Sequence, residues 1–78
     1  MIDADLKKIK YIISNHTKLD EKSIELTTSS ESTDRWDSLA HINIIVDLEK
    51  HFNIKIKTSE IEKLNSVSNI IEYIKKSY

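Results

Sequence analysis

The chain has 78 residues, 38% hydrophobic and 32% charged, which is the composition of one small globular domain over residues 1–78 with too little core for a deep catalytic cleft. Twelve basic residues against thirteen acidic ones leave a formal charge of −1, without the basic face that nucleic-acid binding needs. Cysteine is absent, so disulfides, thiolate chemistry and cysteine-ligated metals are excluded from the polypeptide, and no apolar run reaches bilayer length. The start, Met1-Ile2-Asp3-Ala4-Asp5, lacks the basic-then-apolar order of a signal peptide, and a monomer in the cytoplasm is expected.

Glycine and proline are also absent, so turns fall to Asn, Asp, Ser and Thr, whose side chains bond nearby backbone. Ile2, Leu6, Ile9 and Ile13 recur at helical spacing behind Asp3, a candidate N-cap, and leave Lys7, Lys8 and Lys10 to solvent. This predicts a first helix over 3–14. From Lys18 to Asp37 the periodicity lapses; Leu19, Ile24 and Leu26 are available to the core, and Thr27 to Arg35 reads as exposed loop. The second helix opens at Asp37-Ser38 and runs to Phe52, with Ile44, Ile45, Leu48 and Phe52 repeating at helical spacing. Asn53 to Lys57 alternates Ile54 and Ile56 with lysines, too short and isolated for a sheet, and is taken as an extended connection. Ser59-Glu60-Ile61-Glu62 fits a capping box opening a short helix that ends near Leu64. Ser66 then caps a last helix with Val67, Ile70, Ile71 and Ile74 on its buried face. Asn15, Asn53 and Asn65 each follow the last apolar residue of a predicted helix, where a left-handed terminating residue belongs. The fold expected is an all-α bundle of three long helices and one short one, with a long loop between the first two.

Asp37-Ser38-Leu39, followed by Ile42, Ile45, Leu48-Glu49, Phe52, Ile54 and Ile56, resembles the attachment helix of the acyl carrier protein family. Glu60, Leu64, Ser66-Val67, Ile70-Ile71 and Tyr73-Ile74 extend the resemblance, which covers residues 36 to 75. Arg35-Trp36 and Asn53 stand where the family usually has Gly, and the loop lacks its usual Phe. Trp36 directly before Asp37-Ser38-Leu39 is more similar to specialised stand-alone carriers of polysaccharide, aminoacyl or natural-product pathways than to the housekeeping fatty-acid carrier.

The resemblance implies a carrier, not an enzyme, with no catalytic residues and no resident metal. Ser38 receives 4′-phosphopantetheine from coenzyme A through a separate phosphopantetheinyl transferase that uses a divalent metal; Asp37 caps the helix and contacts that metal. Acyl intermediates then ride as thioesters to the acyl-loading and acyl-transfer enzymes of a fatty-acid, polysaccharide-modification or natural-product pathway. The alternative cargo is aminoacyl, either D-alanyl or peptidyl. The residues suit this chemistry, because a helix start favours a phosphodiester and the arm brings the thiol that the chain lacks.

Leu39, Ile42 and Val46 widen the apolar arc of the second helix beyond the stripe that burial requires. They form a predicted docking face, with Trp36, Asp47, Glu49 and Lys50 as its neighbours. Trp36 itself reads either as part of that face or as a loop residue covering the end of the bundle. Two rivals are a helical interaction module without prosthetic group, in which Ser38 merely helps Asp37 cap, and an enzyme using Ser38, His41 and Asp37. The second needs an oxyanion hole and a pocket that so small a bundle does not clearly offer. His16, His41 and His51 show no ligand pattern and read as structural or solvated.

Overall fold

A computed structural model describes the backbone of residues 2–77 and the side chains from Ala4 to Lys76. Among the described residues there are four helices, α1 (Ile2–Thr17), α2 (Ser38–Phe52), α3 (Thr58–Ile61) and α4 (Val67–Ser77), with a 3₁₀ turn at Glu21–Ser23. The fold is all-α, as expected; the one β-type pairing among the described residues is an isolated bridge between Ser29 and Ser66. No helix among these residues is long and apolar enough to cross a membrane.

The first helix buries Ile9, Ile12 and Ile13 and runs past its predicted end. Thr17 is buried because its hydroxyl donates to the Ile13 carbonyl at 2.7 Å, and the Lys18 N–H closes a further turn on Ser14. Lys18, at φ 67°, therefore takes the left-handed position expected of Asn15, which lies inside the helix. The side chains of Ile2 and of the candidate cap Asp3 lie outside those described.

Asp20 caps the 3₁₀ turn by accepting the Lys22 N–H, after which Ile24 drops into the core. Leu26 does not follow it; this side chain is 50% exposed, against expectation. The backbone around it is held by the start of α4: Leu26 O accepts the Ser68 N–H, Thr28 O accepts the Val67 N–H, and the Ser30 N–H donates to Asn65 O. The first two bonds satisfy first-turn amides of α4 that have no intrahelical partner, and with the third they orient the loop with Leu26 outward. Ser66 caps α4 as predicted, its hydroxyl accepting the Asn69 N–H.

Asp37 caps α2 by accepting the Ala40 N–H at 2.9 Å, and Asn53, at φ 53° and ψ 50°, ends it in the left-handed conformation. The inner face buries Ala40, Ile44, Ile45, Leu48 and Phe52. His16 of α1 pairs with Asp47, and the Lys8 ammonium lies over the Phe52 ring, so α1 and α2 run antiparallel. The extended connection after α2 buries Ile56, whose N–H donates to the Glu49 carboxylate at 2.8 Å.

The short third helix differs from its prediction. It begins at Thr58, where the Lys57 carbonyl takes the Glu60 amide, and Lys57 makes no side-chain cap because its ammonium has no acceptor. The Ser59 capping box is therefore not formed, and the helix stops at Ile61. Asn65 is not left-handed either: Lys18 and Asn53 alone have positive φ among the described residues.

Candidate functional site

The approach to α2 is a turn in which Thr33 receives two amides, Arg35 N–H on its hydroxyl and Trp36 N–H on its carbonyl. The turn pushes Trp36 inward, where only 2% of its surface stays exposed. This corrects its assignment to the docking face: a side chain so deeply buried offers a partner almost no surface, and it belongs to the core that closes this end of the bundle. Its indole N–H, buried with it, needs a partner and donates to His41 Nδ1 at 3.0 Å. Since Nδ1 accepts, the neutral imidazole carries its hydrogen on Nε2, and Nε2 donates to the Ile61 carbonyl at 2.7 Å.

Ser38 follows the cap as the first residue of α2, and its side chain is exposed. The amides of Ser38 and Leu39 have no intrahelical carbonyl to bond, so the positive end of the helix opens beside the Ser38 hydroxyl. Next to it lies an open groove of about 410 Å³, walled by Ser30, Trp36, Asp37, His41, Glu62 and Asn65. An exposed primary hydroxyl at a helix start, with no steric cover, fits a covalently attached phosphodiester. The same residues do not make a nucleophile and base, because both ring nitrogens of His41 are engaged elsewhere.

Along the outer surface of α2, Leu39 is 72%, Ile42 51% and Val46 42% exposed. Their spacing of three and four residues places them in one stripe leading away from Ser38. The charges named beside them behave differently from one another. Asp47 and Glu49 are half-buried and engaged by His16 and by the Ile56 amide, whereas Lys50 is exposed. The structure thus brings Trp36, Asp37, Ser38 and His41 together and leaves Lys50 at the far end of the helix. The link from Trp36 through His41 to Ile61 was not foreseen from sequence. Its signal was there, because Trp36 and His41 occupy the positions before the cap and four residues after it, where side chains meet across a helix start.

The family described as "Phosphopantetheine attachment site" matches residues 7–74. An acyl carrier protein of Phytoplasma australiense is 33% identical over 72 residues, covering 92% of this chain and 95% of the relative. One from Clostridium acetobutylicum is also 33% identical, over 69 residues, covering 88% of this chain and 90% of the relative. The solution structure of a holo acyl carrier protein from Geobacter metallireducens superposes with a TM-score of 0.77 at 34% identity, covering 91% of this chain and 82% of that one. With a family match across nearly its whole length and relatives spanned almost end to end, this chain belongs to the acyl carrier protein family, whose members carry 4′-phosphopantetheine covalently and are carriers, not enzymes.

Proposed function

We propose that Ser38 is the attachment residue and that residues 1–78 act as one carrier domain in the cytoplasm. The observation that carries this is the exposed Ser38 hydroxyl at the first position of a helix already capped by Asp37. As a family member the chain is served by a phosphopantetheinyl transferase and by acyl-handling enzymes. The arm supplies a thiol for the thioester. Asp37 holds the serine at the helix start and contacts the transferase's divalent metal during modification. Tethering keeps the acyl group at high effective concentration for successive enzymes. These enzymes dock on Leu39, Ile42 and Val46, and belong to a fatty-acid, polysaccharide-modification or natural-product pathway.

Intact mass after incubation with coenzyme A and a promiscuous phosphopantetheinyl transferase tests the assignment. Wild type gains one phosphopantetheine and Ser38→Ala gains none, while an unmodified wild type would sink it. Asp37 still caps α2 in the variant, so the substitution costs at most about 1 kcal/mol and loss of loading is not loss of fold.

A further inference from the structure

We propose that His41 is a positioning residue for the modification of Ser38: bonded to Trp36 on one side and Ile61 on the other, it fixes the direction in which the chain enters α2 and so where the Ser38 hydroxyl points. The inference rests on Ser38 being the attachment residue and adds what holds that residue in place.

Trp36 stands just before the cap, Asp37, and His41 is the fourth residue of α2. Side chains at these two positions commonly meet as an apolar pair that sets the angle at which a chain enters its helix. Here the pair is joined by a directional bond, indole N–H to His41 Nδ1 at 3.0 Å, with ring centroids 6.2 Å apart. A directional bond restricts rotation about the entry where apolar contact alone would leave sliding room. The second ring nitrogen anchors the imidazole to the Ile61 carbonyl at 2.7 Å, so the clasp joins the loop, α2 and the end of α3. Asp37 and Ser38 are the two residues through which the chain turns from Trp36 into the helix. Their backbone is thus held by its own cap and by the clasp that brackets it. The exposed stripe of Leu39, Ile42 and Val46 takes no part in the clasp.

Loss of the clasp should therefore leave binding to the transferase intact and misdirect the hydroxyl within the bound complex. Initial rates of Ser38 modification by the same promiscuous transferase, with carrier concentration varied, separate the two effects. In His41→Leu, which keeps apolar bulk and removes both bonds, kcat falls by about tenfold to a hundredfold, as misplacement of a reacting group does, while KM stays within about twofold. His41→Gln, able to accept from the indole and donate to Ile61, restores most of kcat. Each variant is assayed well below its own melting temperature, followed by circular dichroism. A wild-type kcat in His41→Leu, or a Gln variant as slow as Leu, overturns the proposal. Wild-type protein gives a second readout that needs no variant. Long-range proton–nitrogen spectra should show His41 protonated at Nε2 and bare at Nδ1, and the opposite tautomer overturns the clasp. Wild type left unmodified overturns the Ser38 assignment instead, and this inference falls with it.

Discussion

Helices α2 and α4 are similarly rich in aliphatic residues and use them in different ways. In α4, Val67, Ile70 and Ile74 are buried, and Ile71 and Tyr73 pack half-buried against the same core. In α2, Ile44, Ile45, Leu48 and Phe52 reach that core, while Leu39, Ile42 and Val46 remain outside it. The difference separates two demands on a small bundle. The apolar content of α4 is accounted for by folding, whereas α2 holds a surplus that folding does not use. That surplus starts next to Ser38, which is where the proposed docking role requires a partner to sit. Single exposed aliphatics need no explanation, but a stripe of three along one helix does.

The comparison breaks if the two sets of side chains prove energetically alike. Ile70→Ala removes a fully buried side chain and should cost about 2–5 kcal/mol, a large share of the roughly 5–15 kcal/mol that holds a typical domain together. Leu39→Ala, at a site 72% exposed, should change stability by no more than about 0.5 kcal/mol. Urea unfolding followed by circular dichroism measures both. Comparable losses would mean that the outer stripe of α2 supports the fold and is not surplus.

The ends of the helices sharpen the comparison on a smaller scale. Asn53, left-handed at the end of α2, should accept Gly with little change, whereas Asn53→Val should lose about 1 kcal/mol or more to the crowding of a β-branched residue there. Lys18→Gly at the end of α1 should be neutral or stabilising by up to about 1 kcal/mol, since Gly relieves the same strain. Thermal melts in which Val matched Asn at residue 53 would remove the strain from that site.

These two termini also show what was legible in the sequence. Asn53 announced itself, because it follows Phe52 and is a residue type that tolerates the left-handed region. Lys18 did not: α1 continues past Asn15 through the bonds of Ser14 and Thr17, and a lysine carries no sign of unusual backbone. Periodicity revealed α2 and α4, which bury one face against a core. It said nothing of Leu26 or of the start of α3, where backbone bonds to distant or neighbouring carbonyls decide the register. At the site the pattern is similar. Asp37 and Ser38 could be read from the cap and from the family resemblance, both local features. The inward turn of Trp36 depends on Thr33, His41 and Ile61 meeting in space.

The smallest expected effect concerns charge beside the outer stripe of α2. Two of its acids are not free to meet a partner: Asp47 faces His16, and Glu49 holds the Ile56 amide. Lys50 and His51 are exposed at the same end of the helix, so the Lys50 ammonium dilutes the acidic character of its outer surface. Surface charge governs encounter rate and partner discrimination more than the strength of the final contact. An enzyme that reads a strongly acidic carrier helix should therefore meet this protein slowly. Replacing Lys50 and His51 together with Glu should raise acyl transfer to a housekeeping fatty-acid synthase enzyme a few-fold at low salt, with the gain shrinking as salt screens the added charge. Leu39→Ala in the same assay should lower transfer for wild type and for the charge variant alike, since the apolar contact is needed whatever the steering. Fully loaded proteins must be compared, so that differences at Ser38 do not enter the measurement. Efficient transfer by wild type, or a gain that persists unchanged at high salt, would show that charge at the end of α2 does not select the partners of this carrier.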